Sequence, residues 1–213
     1  MPAPQENTQF ITGNAGQLEL RYSPNTKNTP ETPIVVISHP HPLGGGTLDN
    51  KVVYIMHKAF SQMGYHTVRH NFRGVGKSEG TFDNGQGETA DLQQVCQWAQ
   101  QQHPQAPLWL AGFSFGSYVS LRALKHLPAQ RLLMVAPPVS LYEKQFQELD
   151  ITIPSLIIQG SNDEIIDANT TRHWAFTHTV TPDFYWLSGT SHFFHGRLNQ
   201  LRQLIQSGWH IAI

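Results

Sequence analysis

The chain has 213 residues, enough for one sizeable core and too few for a large accessory domain beside it. Lys and Arg number 14 against 15 Asp and Glu, a formal net charge of −1, so no basic field gathers phosphates and nucleic acid is set aside as a partner. The single cysteine, Cys96, excludes an intramolecular disulfide and a cysteine-rich zinc site, and it suits a reducing compartment.

Pro2, Pro4, Gln5, Glu6 and Asn7 open a segment with neither the basic nor the apolar region of a signal peptide. No apolar run approaches the roughly 18–20 residues that span a bilayer, so a soluble, cytoplasmic protein without a membrane partner is expected. Thr8 to Thr12 and Gln17 to Tyr22 flank Gly13-Asn14-Ala15-Gly16, a hairpin signal. After the polar, Pro-bearing loop Ser23 to Pro33, the short apolar run Ile34 to Ile37 reads as a buried parallel strand. Val52, Ile55, Met56, Ala59, Phe60 and Met63 then repeat at helical spacing and stop at Gly64. Thr67 to Asn71 is the next strand, and Leu92, Val95, Trp98 and Ala99 mark a helix that begins near Gly87-Glu88 and ends at His103-Pro104.

Strand Leu108 to Ala111 leads into a helix from Phe115 to His126, and strand Leu132 to Ala136 follows. A short helix is expected around Leu141 to Phe146, then strand Ser155 to Ile158 and a helix from Ala168 to His178. Strand Phe184 to Leu187 comes after a Pro-Asp turn, and a last helix is expected from Phe193 to Gln206. A hairpin followed by repeated β-α units predicts one α/β domain over residues 1–213, with a mostly parallel sheet of about eight strands covered by helices on both faces. Trp174, Phe176, Phe184, Tyr185 and Trp186 are read as core, with a dimer surface as the alternative; the oligomeric state is left open.

The junction between strand Leu108 to Ala111 and the following helix reads Gly112-Phe113-Ser114-Phe115-Gly116, a nucleophile elbow in its required setting. A serine on so sharp a turn projects its hydroxyl above the sheet, and the small residues on either side let strand and helix approach. The helix N-terminus then points backbone N–H groups at developing negative charge. A hydroxyl is a poor nucleophile near neutrality, so this reading demands a base and a group that orients it.

Both are found in the chain order this architecture uses. Strand Ser155 to Ile158 is followed by Asp163 and the last strand by His192, each in a loop at the C-terminal end of its strand. Ser114 would attack, His192 would take and return the proton, and Asp163 would hold the imidazole. Glu164 and Asp167 compete for the role of the acid. His195 competes for the role of the base but is expected inside the last helix.

Acyl transfer leaves a negative oxygen, and each backbone donor aimed at it contributes about 3–4 kcal/mol. Phe115 N–H is one expected donor. The other should come from Ser38-His39-Pro40-His41-Pro42-Leu43-Gly44, where the prolines have no N–H; His41 is favoured over Leu43. His39 and His41 also form a His-x-His pair, but no further ligand motif completes a metal site, and none is expected. Arg73-Gly74-Val75-Gly76-Lys77-Ser78 mimics a phosphate loop, yet Asn71 stands where that loop needs glycine and no helix comes directly after it. It reads as a rim of the Ser114 site.

In these blocks the chain resembles the α/β-hydrolase superfamily, and within it the small lidless bacterial serine hydrolases. The resemblance rests on His39-Pro40-His41-Pro42 with its glycine run, Asn50-Lys51-Val52-Val53, Asn71 to Gly76 with Ser78, Gly112 to Gly116, Gln159-Gly160 with Asp163, and Ser191 to Gly196. Many relatives carry His-Gly where this chain has His39-Pro40. The resemblance implies hydrolysis of a small-molecule ester or thioester through an acyl-enzyme, with no cofactor. Only about twenty residues, Pro137 to Pro154, stand where relatives insert a cap. An open, shallow site lined by Leu43, Phe82 and Phe193, with His41 and Phe115, is therefore expected for small to medium acyl groups. A peptidase on the same triad and a non-catalytic protein retaining the fold are the alternatives.

Overall fold

Strands β1 (Asn7–Gly13) and β2 (Gly16–Ser23) form the expected hairpin, paired antiparallel, and β2 lies antiparallel to β4 (His66–His70). The computed structural model describes residues 6–25 and 29–208; positions 1–5 of the leader reading, 26–28 of the polar loop and 209–213 lie outside the described residues. From β4 onward the sheet is parallel: β3 (Ile34–Ser38) sits between β4 and β5 (Leu108–Phe113), followed by β6 (Ala129–Val135), β7 (Ser155–Gly160) and β8 (Asp183–Leu187). The eight strands run in the order β1-β2-β4-β3-β5-β6-β7-β8.

A strand buried on both faces sends alternate side chains to opposite layers. Ile34 and Val36 of β3, Leu108 and Leu110 of β5 and Leu132 and Met134 of β6 enter one core cluster, with Leu92, Val95 and Cys96 of α2 (Gln86–Gln102) and Val119 of α3 (Phe115–Ala123). Val35, Ile37, Trp109, Ala111, Leu133 and Val135 enter the other, against Val52 and Met56 of α1 (Lys51–Gln62) and Leu201 and Ile205 of α6 (Leu198–Gly208). Cys96 is fully buried on α2, and burial pushes its thiol up, so it stays protonated and inert. Among the described residues no helix is long and apolar enough to cross a membrane.

The segment between β6 and β7 holds a 3-10 turn at Val139–Leu141 and α4 (Glu143–Gln147), and nothing larger. Four expectations change. The helix after β5 tightens into a 3-10 turn at Leu124–His126, and α5 (Ala168–Ala175) stops three residues before His178. The last helix begins at Leu198, because Phe194 (φ 54°) and Gly196 (φ 70°) hold left-handed backbone that no α-helix continues through. His195 is therefore a turn residue. The late aromatic group is not one core: Trp174 is buried, but Tyr185 and Trp186 of the edge strand β8 stay exposed, and so does Phe176 at the end of α5.

Candidate active site

Parallel pairing carries the C-terminal ends of β3, β5, β6, β7 and β8 to one edge of the sheet, and the predicted residues lie in the loops that leave that edge. Ser114 follows β5 directly, with φ 51° and ψ −120°, a conformation that a non-glycine residue holds only under strain. Its backbone N–H is tied to Val135 O at 2.9 Å. The flanking glycines are steric requirements: a methyl at Gly112 would strike the backbone of Gly116 and Ser117, and one at Gly116 would strike the carbonyls of Ser38 and His39. The hydroxyl of Ser117, one turn along, is locked to Gly112 O at 2.7 Å.

The loops after β7 and β8 are bonded to each other. Ser161 N–H donates to Leu187 O at 2.9 Å and Asn162 N–H to Thr190 O at 3.1 Å. The β8 loop then crosses back over the sheet end, where Phe194 is fully buried in the same cluster as Phe113. This places the His192 ring 5.1 Å from that of Phe113, the residue before Ser114. His192 Nδ1 and Asp163 Oδ2 are 2.9 Å apart, both side chains essentially buried. Burial pushes the Asp163 carboxyl up, but the hydrogen bond and charge of His192 and the N–H groups of Ile166 and Ile165 outweigh it and hold the group below the usual carboxylate range.

The competing carboxylates have other partners. Glu164 Oε2 accepts the backbone N–H of His192 at 3.0 Å, and Asp167 caps α5 through Thr170 N–H at 2.6 Å. Among the described residues no hydrogen bond joins the Ser114 hydroxyl to His192. Catalytic pairs often lengthen without substrate.

On the β3 side, Pro42–Gly44 form a 3-10 turn capped by His41, whose Nδ1 accepts the Leu43 N–H at 3.2 Å. That engages the Leu43 donor, whereas the backbone N–H groups of His41 and Phe115 have no acceptor among the described residues. The His41 ring lies 5.0 Å from that of Phe115 and 4.8 Å from that of Phe82. Phe193 packs on the other side, 5.9 Å from Phe113. Phe115 itself is buried at 1% exposure, so its ring belongs to the core and only its backbone faces the site, a correction to its expected lining role. Leu43 stands out on the rim at 76% exposure, and Ser114 lies low between the loops at 8%.

A family model described as X-Pro dipeptidyl-peptidase (S15 family), an α/β-hydrolase family, matches residues 20–149, a span holding the His39 loop and the elbow but neither Asp163 nor His192. An α/β serine hydrolase homologue from Coxiella burnetii is 41% identical with a TM-score of 0.89, over 95% of this chain and 97% of that one. A protein from Xanthomonas campestris, described as an α/β serine hydrolase without lid, is 38% identical with a TM-score of 0.89, over 98% and 94%. The chain belongs to the lidless α/β serine hydrolases. An uncharacterised protein of Rickettsia prowazekii is also similar, 36% identical over 94% of this chain and 90% of its own.

In this hydrolase the loop that resembled a phosphate cradle is already filled. The buried Glu19 carboxylate accepts Lys77 N–H at 2.9 Å and Asn71 Nδ2 at 2.8 Å, where an anion would sit. Neither nitrogen of His39 is free for a metal: Nε2 accepts Phe72 N–H at 3.1 Å, which makes Nδ1 the donor to Pro40 O at 2.6 Å. His39 thus shapes the turn that carries His41 only while it is neutral. Burial pushes it down to about 4, and pushes His70, beside it, down to about 3.

Both folded values lie below the ordinary unfolded value near 6.5, so the unfolded chain binds more protons between them and stability rises with pH there. Lowering the pH from 7 to 5 should cost about 2–4 kcal/mol for the pair. Thermal melts over that range should show Tm falling steadily, and a flat Tm would contradict buried neutral rings.

Proposed function

We propose that this hydrolase cleaves an ester or thioester of a small to medium acyl group through an acyl-enzyme on Ser114. His192 takes the serine proton as the hydroxyl attacks the carbonyl carbon, then gives it to the departing alcohol or thiol as the bond to that group breaks. Water repeats the sequence in reverse roles and frees the acid. Asp163 holds the imidazole, and the N–H groups of Phe115 and His41 receive the oxyanion. No cofactor enters, and Leu43, Phe82 and Phe193 border the acyl group. A cytoplasmic setting suits the lone buried cysteine. The observation that supports the reading is the buried Asp163–His192 hydrogen bond, with the His192 ring 5.1 Å from that of Phe113, the residue before the strained Ser114.

A series of p-nitrophenyl esters from acetate to palmitate tests the acyl range. We expect kcat/KM to peak among the short chains, because a 3-10 turn and one five-residue helix between β6 and β7 build no tunnel for a long one. A peak at palmitate would sink the open-site reading. The S15 family match supports a second reading, cleavage after an X-Pro pair. An X-Pro p-nitroanilide in the same panel decides between them: release of p-nitroaniline that depends on Ser114 supports the peptidase, and its absence beside ester turnover supports the esterase.

A further inference from the structure

Gln159 is the penultimate residue of β7, and its side chain is fully buried. Its Nε2 donates to Asp163 Oδ2 at 2.9 Å, the same oxygen that faces His192 Nδ1 at 2.9 Å, and at the longer distance of 3.3 Å to Gly160 O. The other carboxylate oxygen, Oδ1, takes the N–H groups of Ile165 at 3.0 Å and Ile166 at 2.8 Å. Two donors therefore fix each oxygen, and the carboxylate has no freedom to rotate. On its far side Gln159 Oε1 is buried with no donor among the described residues. Turning the amide over does not repair this, because it would set Oε1 against a carboxylate and the Gly160 carbonyl. A buried acceptor without a donor costs stability, and an apolar side chain of the same length would avoid that cost. The amide is not explained by packing. It is explained by what its N–H holds.

We propose that Gln159 is a positioning residue for the hydrolysis: its amide N–H pins Asp163 Oδ2 where that oxygen receives the His192 Nδ1 proton, and a stranded carbonyl is the stability cost of doing so. This rests on the triad reading above. Gln159→Met and Gln159→Leu keep the volume and remove the donor. In both, kcat should fall by roughly tenfold with KM within about twofold, since the substrate contacts are untouched. Tm should stay level or rise. The acid limb of the kcat profile should move to higher pH, because a carboxylate that loses a donor binds protons more tightly, its own and the one it shares with imidazole.

Unchanged kcat and pH profile in both variants would overturn the proposal. So would a kcat loss accompanied by a lower Tm and an unmoved profile, the mark of a merely structural residue. Carbon-13 titration of the Asp163 carboxyl reads the pinning without any substrate: an upward shift in Gln159→Met supports it, and no shift overturns it. A wild-type chain that takes no fluorophosphonate at Ser114 would instead overturn the triad reading, and the titration would still show whether the amide holds the carboxylate.

Discussion

Ser114→Ala should lower kcat/KM by roughly 10⁴–10⁶-fold and abolish labelling by a fluorophosphonate, while the protein stays folded. The hydroxyl makes no hydrogen bond among the described residues, so its loss strands nothing. Labelling should persist in Ser117→Ala, whose hydroxyl is turned inward onto Gly112 O. Ser114→Gly separates chemistry from strain. At φ 51° glycine relieves a steric penalty that serine bears, so this variant should be as inactive as Ser114→Ala and should melt higher. A retained activity in either variant would remove Ser114 from the mechanism. A lower Tm in Ser114→Gly would remove the claim that the elbow is strained.

Asp163→Asn should cost about 10⁴-fold in kcat, the scale expected when the imidazole is held in the wrong tautomer. All four hydrogen-bond partners of the carboxylate are donors: Gln159 and His192 on Oδ2, Ile165 and Ile166 on Oδ1. An amide supplies one oxygen, so its NH₂ must face either the two backbone N–H groups of Ile165 and Ile166 or Gln159 and an imidazole turned to the tautomer whose Nδ1 accepts. Glu164→Gln should cost a few-fold at most, because an amide oxygen still accepts the His192 N–H that Glu164 holds. Steady-state kinetics on the two variants side by side decides which carboxylate orients the base. Equal losses would contradict the assignment to Asp163.

The parts of this site that depend on chain order and local pattern were legible in the residues. The short apolar runs Ile34 to Ile37 and Leu108 to Ala111, bounded by turn residues, read as strands covered on both faces, and their side chains do alternate between the two cores. The elbow needs its glycines for contacts made within five residues and with the adjacent strand, so it too announced itself. Phe193 and Phe194 misled: their apolar character looked like the start of a helix, but Phe194 is an anchor on a loop that crosses the sheet end. The exposed aromatics of β8 misled for a related reason, because composition does not tell an edge strand from a central one. Gln159 stood just past the apolar run Ser155 to Ile158, and the strand in fact continues through it to Gly160. Its task was not legible, since that depends on where Asp163 turns back four residues later.

In the proposed mechanism the short passage between β6 and β7 would also govern the fate of the acyl-serine. With one 3-10 turn and a five-residue helix over that quarter of the site, nothing there sequesters the bound acyl group from the medium. Water and any added alcohol then compete for it by concentration and by their own nucleophilicity. For any one alcohol the ratio of transfer to hydrolysis product should therefore rise in proportion to its concentration, with no saturation of the kind a closed acceptor site would impose.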